Sequence, residues 1–200
     1  MTEILPAVVD GWQATTNLEI VSVLFGLAYV ILAAREDIWC WPAALIGTGT
    51  AILLFWDVSL LMESALNVYY LAMALYGWWH WQRGGPDRAS LPITSWRWRQ
   101  HALTLVLIAV LTLVSGSLLT ANTQAALPYV DSFTTWAAVI TTWMVTQKIL
   151  ENWLYWIVID AVSIWLYAER GLMLYAALFA GYTIIAVFGY VQWRRNLSHG

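Results

Sequence analysis

The sequence predicts an all-α polytopic membrane protein whose seven transmembrane helices form a 3+1+3 parallel repeat. Three observations lead there: a composition too apolar for a soluble domain, apolar runs of helix length, and self-similarity at one fixed shift. Of the 200 residues, 61% are hydrophobic and 10% charged, whereas a soluble domain carries about 25% charged residues. The charges cluster between apolar runs instead of spreading over a polar face. Hydrocarbon offers no partner to a backbone N–H or C=O, so a spanning chain must be helical or a closed barrel. The continuous runs are too long for the roughly 10-residue alternating strands of a barrel.

Apolar runs set against charged or Pro/Gly breaks give spans at 18–34, 38–56, 60–81, 102–120, 129–147, 152–168 and 171–191. The opening residues MTEILPAVVDGW lack Lys and Arg and do not resemble the basic start of a signal peptide. Trp41-Pro42 marks the start of the second span, since the first helical turn has free N–H groups and tolerates Pro. The fifth span is Thr-rich and the sixth contains Asp160. Joints are short except for 82–101, a basic, Trp-containing stretch that reads as an anchor beside anionic lipid. The whole chain, 1–200, reads as one membrane domain: a first three-helix bundle at 18–81, a linker helix at 102–120 and a second bundle at 129–191.

Charge sidedness orients these spans. With the N-terminus outside and the C-terminus inside, Arg35, Arg83, Arg88, Arg97, Arg99, Lys148, Arg194 and Arg195 fall on the inner side, and only Arg170 on the outer. Arg35 and Lys148 read as snorkelling anchors at inner helix ends. Interfacial belts account for about half of the fifteen Trp and ten Tyr; the others need another role.

At a shift of 112 residues Glu19 meets Asp131, Trp41 meets Trp153, Asp57 meets Glu169, Tyr70 meets Tyr182, Gly77 meets Gly189 and Trp81 meets Trp193. The shift carries the first span onto the fifth, so the two copies share one orientation and the fourth span restores sidedness. Such repeats mark secondary transporters, whose substrate sits near mid-membrane, although an enzyme or scaffold also arises by duplication.

No Gly-rich phosphate loop, paired zinc-ligand histidines or nucleophile elbow is present. The lone Cys40 excludes an intramolecular disulfide and a thiolate cluster, and His80, His101 and His199 lie at or beyond inner span ends, not deep in a bundle where haem is ligated. The expectation is a non-enzyme without cofactor, metal or nucleic-acid partner, embedded in the lipid bilayer. The chain leaves no room for a nucleotide-binding domain, so energy comes from a gradient or from chemistry elsewhere.

The segment 147–160 carries the most chemistry. Asn152 and Trp156, four apart, share a helical face, with Trp153 about 100° away. An amide donor and acceptor beside indole faces would hold a flat heteroaromatic ring. The structural alternative is that Glu151 and Asn152 cap the sixth span while Trp153 and Trp156 sit in the belt. Asp160, on the same face, either meets substrate or a proton, or braces the bundle. Glu63, Asn67 and Tyr70 form a polar stripe on the third span, and Tyr182 is the counterpart of Tyr70 on the seventh. This stripe, and the Thr residues of the fifth span, either line a path or bond helix to helix.

A-A-R-E-D-I-W-C-W-P (33–42), N-V-Y-Y…Y-G-W-W-H-W (67–81) and E-N-W-L-Y-W-I-V-I-D (151–160) resemble the PnuC vitamin transporters, over residues 19–193. The resemblance implies a SWEET-like pair of triple-helix bundles around a linker helix, assembled as a homotrimer in a bacterial cytoplasmic membrane. It also implies facilitated diffusion of an unphosphorylated vitamin, usually nicotinamide riboside, trapped afterwards by a cytoplasmic kinase. The family's substrate-contacting Asn and Trp match Asn152 and Trp156, the latter closing the W-x-x-W that begins at Trp153. Where the family usually has Gln just before paired tyrosines, this chain has Asn67 two residues before Tyr69-Tyr70. Related members resemble carriers of thiamine or riboflavin, also flat heteroaromatics. A membrane enzyme or interaction subunit is the alternative of another class.

Overall fold

The computed structural model describes residues 17–57, 61–123, 127–169 and 173–199. Among them the chain forms seven α-helices: α1 (Asn17–Ala34), α2 (Cys40–Asp57), α3 (Leu61–Arg83), α4 (Trp98–Asn122), α5 (Pro128–Thr146), α6 (Asn152–Glu169) and α7 (Met173–His199). A single 3-10 turn, Pro86–Arg88, interrupts the α3–α4 connection. Each expected span lands on one helix. The largest shifts are at α4, which starts at Trp98 because the Gln100 side chain accepts the Arg97 N–H at 2.8 Å and caps the first turn, and at α7, which meets no Gly or Pro after residue 191 until Gly200. Arg170, the lone outer-side cation of the charge count, lies outside the described residues.

Among the described residues, three helices qualify to cross a membrane by length and apolar composition alone: Asn17–Ala34, Trp98–Asn122 and Tyr175–Ser198. The others carry polar side chains, and among them Ser64, Thr141, Thr142, Asn152, Asp160 and Ser163 are buried within the protein. That placement is what lets a polar helix reside in lipid.

Two compact units divide the chain, with the boundary between Trp78 and Trp79 inside α3. Lipid tails are as apolar as Leu, so helices in a membrane associate through close packing and hydrogen bonds. In the first unit, Ser22 donates to the Gly47 carbonyl at 3.2 Å, and a Cβ at Gly47 would lie 3.3 Å from the Gly26 nitrogen, so α1 and α2 meet backbone to backbone. Tyr29 packs on Trp41 with ring centroids 6.0 Å apart. Gly77 lies directly against the Trp41 ring, where a Cβ would come within 2.3 Å.

The second unit uses the same device. Gly116 on α4 seats the Tyr129 ring of α5, and Trp136 donates to Ser115 at 2.7 Å. Gly189 on α7 receives Trp153, whose ring would lie 2.7 Å from an added Cβ. Trp153 meets Trp193 edge to face at 5.5 Å and 89°, and Trp193 meets Trp81 at 5.8 Å. The Trp81 indole donates to the Val145 carbonyl at 3.1 Å. These rings and Trp41 are buried, while Trp39, Trp56, Trp79, Trp98 and Trp165 are exposed. The aromatic load therefore divides between a packed core and outward-facing rings of the kind that belts use.

Tight turns follow α1 and α5. At the end of α1, Glu36 adopts φ 61°; its N–H bonds Ala33 O at 2.9 Å and the Asp37 N–H bonds Leu32 O at 2.9 Å. At the end of α5, Lys148 adopts φ 49°; its N–H bonds Val145 O at 3.0 Å and the Ile149 N–H bonds Met144 O at 3.1 Å. Both are Schellman motifs, and every one of these positions is paired at the shift of 112. The left-handed residue is non-Gly in each case, a strained choice.

Lys148 does not snorkel. It is buried, with its ammonium 4.6 Å over the Trp81 ring, and the cation–π attraction of a desolvated ammonium replaces the water it gives up. The connection between α3 and α4 docks on this turn: Thr94 N–H bonds Lys148 O at 3.0 Å and Leu150 N–H bonds Thr94 O at 2.8 Å. Glu151 accepts from the Ser95 hydroxyl and, at 3.1 Å, from the Trp96 N–H.

Two outcomes follow from this packing. Gly189→Ala, forcing a methyl into Trp153, is expected to cost roughly 1–3 kcal/mol of overpacking and lower the melting temperature in detergent, while Gly181→Ala, with open space around it, leaves melting unchanged. Glu151→Ala strands the Trp96 N–H and Ser95 hydroxyl, so limited proteolysis within 84–97 should accelerate several-fold while cleavage elsewhere holds constant.

Candidate functional site

α6 is the centre of the candidate site, and the α5–α6 reversal fixes where it begins. Because the turn ends at Ile149, Asn152 becomes the first residue of α6, with its backbone N–H on Ile149 O at 3.1 Å. Its side-chain Nδ2 donates to the same carbonyl at 2.7 Å. Asn152 is completely buried, and its Oδ1 has no hydrogen-bond partner. An N-cap accepts through its side-chain oxygen, whereas Asn152 donates through half of its amide, so the capping alternative does not describe it. The other half is an acceptor held inside the protein without a donor, which costs about 1–3 kcal/mol and marks a position that a ligand or water completes.

Trp153, next along, is also buried, and its Nε1–H likewise has no partner. Its ring is clamped between Gly189 and Trp193, so it is a core residue and not a belt residue. Thr141 on α5 is also fully buried with an unpartnered hydroxyl. The second unit therefore holds an open acceptor and an open donor at the start of α6, and an open hydroxyl within α5. Thr141 stood in the sequence only among the Thr residues of the fifth span; its burial is a property of α5–α6 packing, which no local pattern encodes.

Trp156 is half-buried and packs against the cluster formed by Ile108, Ala137 and Ile159. Asp160 is buried, and Tyr182 on α7 is its electrostatic neighbour. Tyr182 also meets Phe179 edge to face at 5.7 Å. The expected residues Asn152, Trp153, Trp156, Asp160 and Tyr182 thus all belong to one unit and lie on α6 and the helix packed against it. Asn67 and Tyr70 belong to the other unit, both half-buried on α3. Tyr70 pairs with the Tyr69 ring at 5.6 Å and is an electrostatic neighbour of Tyr29.

Positions 112 apart differ in chemistry where their backbones agree. Tyr29 stands opposite Thr141, Cys40 opposite Asn152 and Thr48 opposite Asp160. Tyr29 covers Trp41, and Thr48 is bonded internally to the Ala44 carbonyl at 2.7 Å. In these three pairs the acidic and amide groups, Asp160 and Asn152, are on α6. Among the described residues, no three His, Cys, Asp or Glu side chains converge as a metal site would require.

A second polar cluster flanks the start of α6. His101 Nδ1 lies 3.0 Å from the Tyr155 hydroxyl, its Nε2 is 4.0 Å from Glu151, and its ring stacks on Tyr155 at 5.9 Å. His80 Nε2 lies 3.2 Å from Gln147 Oε1. Sequence reading placed both histidines at helix ends without partners, since each bond crosses more than fifty residues.

Comparison with known proteins now bears on this arrangement. The nicotinamide riboside transporter PnuC of Escherichia coli is 26% identical over 216 residues, covering 91% of this chain and 90% of that one. The riboflavin/roseoflavin transporter RibM of Streptomyces davaonensis is 23% identical, covering 88% of this chain and 83% of its own. The crystal structure of the vitamin B3 transporter PnuC superposes with a TM-score of 0.73 at 21% identity, covering 98% of this chain and 88% of that one, a match that speaks for the fold. The family model described as nicotinamide mononucleotide transporter matches residues 16–195. With nearly its whole length matched, the chain belongs to the nicotinamide mononucleotide transporter family.

Proposed function

We propose that this protein carries nicotinamide riboside across a bacterial cytoplasmic membrane by facilitated diffusion, and that a cytoplasmic kinase traps the product. The observation that carries this reading is the pair of buried, unpartnered polar atoms at the start of α6, Asn152 Oδ1 and Trp153 Nε1. A carboxamide-bearing ring offers both an N–H donor and a carbonyl acceptor, the complement of what these two atoms lack. Trp156 supplies an aromatic face, and Trp is the preferred partner of a cationic ring such as a pyridinium. Asp160 and Tyr182 are suited to sugar hydroxyls. Membership of a transporter family and two PnuC relatives at 26% identity support the same reading.

The proposed architecture is a SWEET-like 3+1+3 arrangement: bundles at 18–81 and 129–191, linker helix 102–120, N-terminus outside and C-terminus cytoplasmic, assembled as a homotrimer. Its support is the agreement of the two Schellman turns hydrogen bond by hydrogen bond at the shift of 112, and of the two Gly–Trp contacts, Gly77 with Trp41 and Gly189 with Trp153. A second substrate, riboflavin, is favoured by the RibM relative, and thiamine stands beside it as another flat heteroaromatic.

The test is counterflow of radiolabelled nicotinamide riboside into liposomes containing only this protein, with unlabelled thiamine and riboflavin as competitors. Flux driven by trapped unlabelled riboside is expected without a pH gradient. Asn152→Ala should reduce apparent affinity by about tenfold, corresponding to roughly 1.4 kcal/mol for one buried hydrogen bond, and Trp156→Ala by at least as much. Absence of flux with well-folded protein removes nicotinamide riboside as substrate, and labelled riboflavin or thiamine exchange then identifies a different vitamin. Flux that follows a pH gradient in the parent and loses that dependence in Asp160→Asn would replace facilitated diffusion by proton coupling.

A further inference from the structure

Asp160 lies near the middle of α6 and is buried, yet among the described residues its carboxylate has neither a hydrogen bond nor an ion pair. α6 packs against α5 and α7. α7 runs antiparallel to it in one register, with Gly189 at Trp153, Tyr182 beside Asp160 and Tyr175 stacked on Tyr167. α5 and α6 carry no Lys or Arg, and α7 has none before Arg194. In that register Arg194 stands twelve residues past Tyr182, the level of Asp160, which is about 18 Å along the helix axis. The buried Lys148 ammonium is already held over the Trp81 ring. Among the described residues of these helices, no cation is placed to meet this carboxylate.

A carboxylate left alone out of water is costly, and in a membrane protein such a group faces a cavity or a partner. Packing at this position does not require one. The position 112 residues earlier is Thr48, whose hydroxyl is bonded to the Ala44 carbonyl at 2.7 Å. Asn152, Trp156 and Asp160 follow one another at four-residue intervals on α6. Trp156 therefore stands about 6 Å, and Asp160 about 12 Å, beyond Asn152 along the axis. With a carboxamide at Asn152, the ring that bears it lies by Trp156, and the group on the far side of the ring reaches Asp160. In a pyridinium riboside that group is the sugar, bonded directly to the positive ring nitrogen. A carboxylate that accepts a sugar hydroxyl there also lies beside the ring charge, where low polarity makes the attraction far stronger than in water.

We propose that Asp160 is the counter-charge of the substrate and makes the carrier selective for rings with a fixed positive charge over neutral rings of the same shape. This selectivity rests on the nicotinamide riboside reading above, and it ranks the other candidates. Thiamine, with its cationic thiazolium, fits the rule, and neutral riboflavin does not. Trp156 contributes to the same preference through its ring face. The share that belongs to Asp160 is the share lost when only its charge is removed.

Isothermal titration calorimetry on the purified full chain tests this with nicotinamide riboside and 1,4-dihydronicotinamide riboside, whose ring is neutral while the carboxamide and sugar are unchanged. The parent is expected to bind the cation more tightly than the neutral form by about tenfold or more. Asp160→Asn keeps the size and removes the charge. It should cut that preference by about tenfold with the neutral form bound as before, and Asp160→Glu should retain it. Equal binding of the two forms by the parent, or a preference undiminished in Asp160→Asn, overturns the proposal. So does an equal loss of both forms in Asp160→Asn, since the carboxylate would then serve the sugar alone. If the folded parent binds neither form, the nicotinamide riboside reading fails, and thiamine and riboflavin in the same assay decide the charge rule by itself. Thiamine preferred in the parent but not in Asp160→Asn upholds it; any other result overturns it.

Discussion

The constraint on which this structure most depends is that no backbone N–H or C=O may be left bare where helices reverse inside a membrane protein. The α5–α6 turn meets it group by group. Met144 and Val145 carbonyls take the Ile149 and Lys148 N–H groups, Thr94 pairs with both Lys148 and Leu150, and the Ile149 carbonyl takes Asn152. Val145 also accepts the Trp81 indole. So closed an account at the turn makes the open valences just beyond it stand out. Asn152 Oδ1 and Trp153 Nε1 follow within four residues of Ile149, at the end of a turn in which these backbone groups are paired. Burying such atoms disfavours the empty protein, and a complementary ligand recovers that free energy.

Close approach is the second organising term. Gly77 and Gly189 let indole rings come close to helix backbones, which is how small residues hold helices together where hydrophobic burial offers little gain. The same contacts fix Trp153, and through it the rotation of α6. Rotation of α6 decides that Asn152 and Asp160 are buried while Leu154 and Val158 face outward. Packing far from the polar atoms therefore sets which polar atoms are presented inside.

Across the shift of 112 the backbone hydrogen bonds agree while side chains diverge. Glu36 and Lys148 share a left-handed conformation, yet only Lys148 has an indole beneath its ammonium. Tyr29 fills the space beside Trp41, whereas the smaller Thr141 leaves a hydroxyl without a partner.

Helix number and approximate boundaries were legible in the sequence, because apolar run length and breaks at Pro, Gly and charge are local properties that lipid acts on directly. So were Asn152, Trp156 and Asp160 as polar or aromatic departures on one helical face, and Gly77 and Gly189 as repeated positions. What only the tertiary structure decided was partnership. Lys148 reads as a snorkelling cation and is a buried one, since Trp81 is sixty-seven residues away in the chain and adjacent in space. Glu151 reads as a cap, and while its backbone carbonyl accepts the Leu154 and Tyr155 N–H groups at the start of α6, its side chain holds the 95–96 backbone and hydroxyl. Trp153 reads as either belt or site and is a core ring with an open N–H. The physical reason is common to all three: periodicity assigns a residue to a face, but which group from a distant segment reaches that face is settled only when the helices pack.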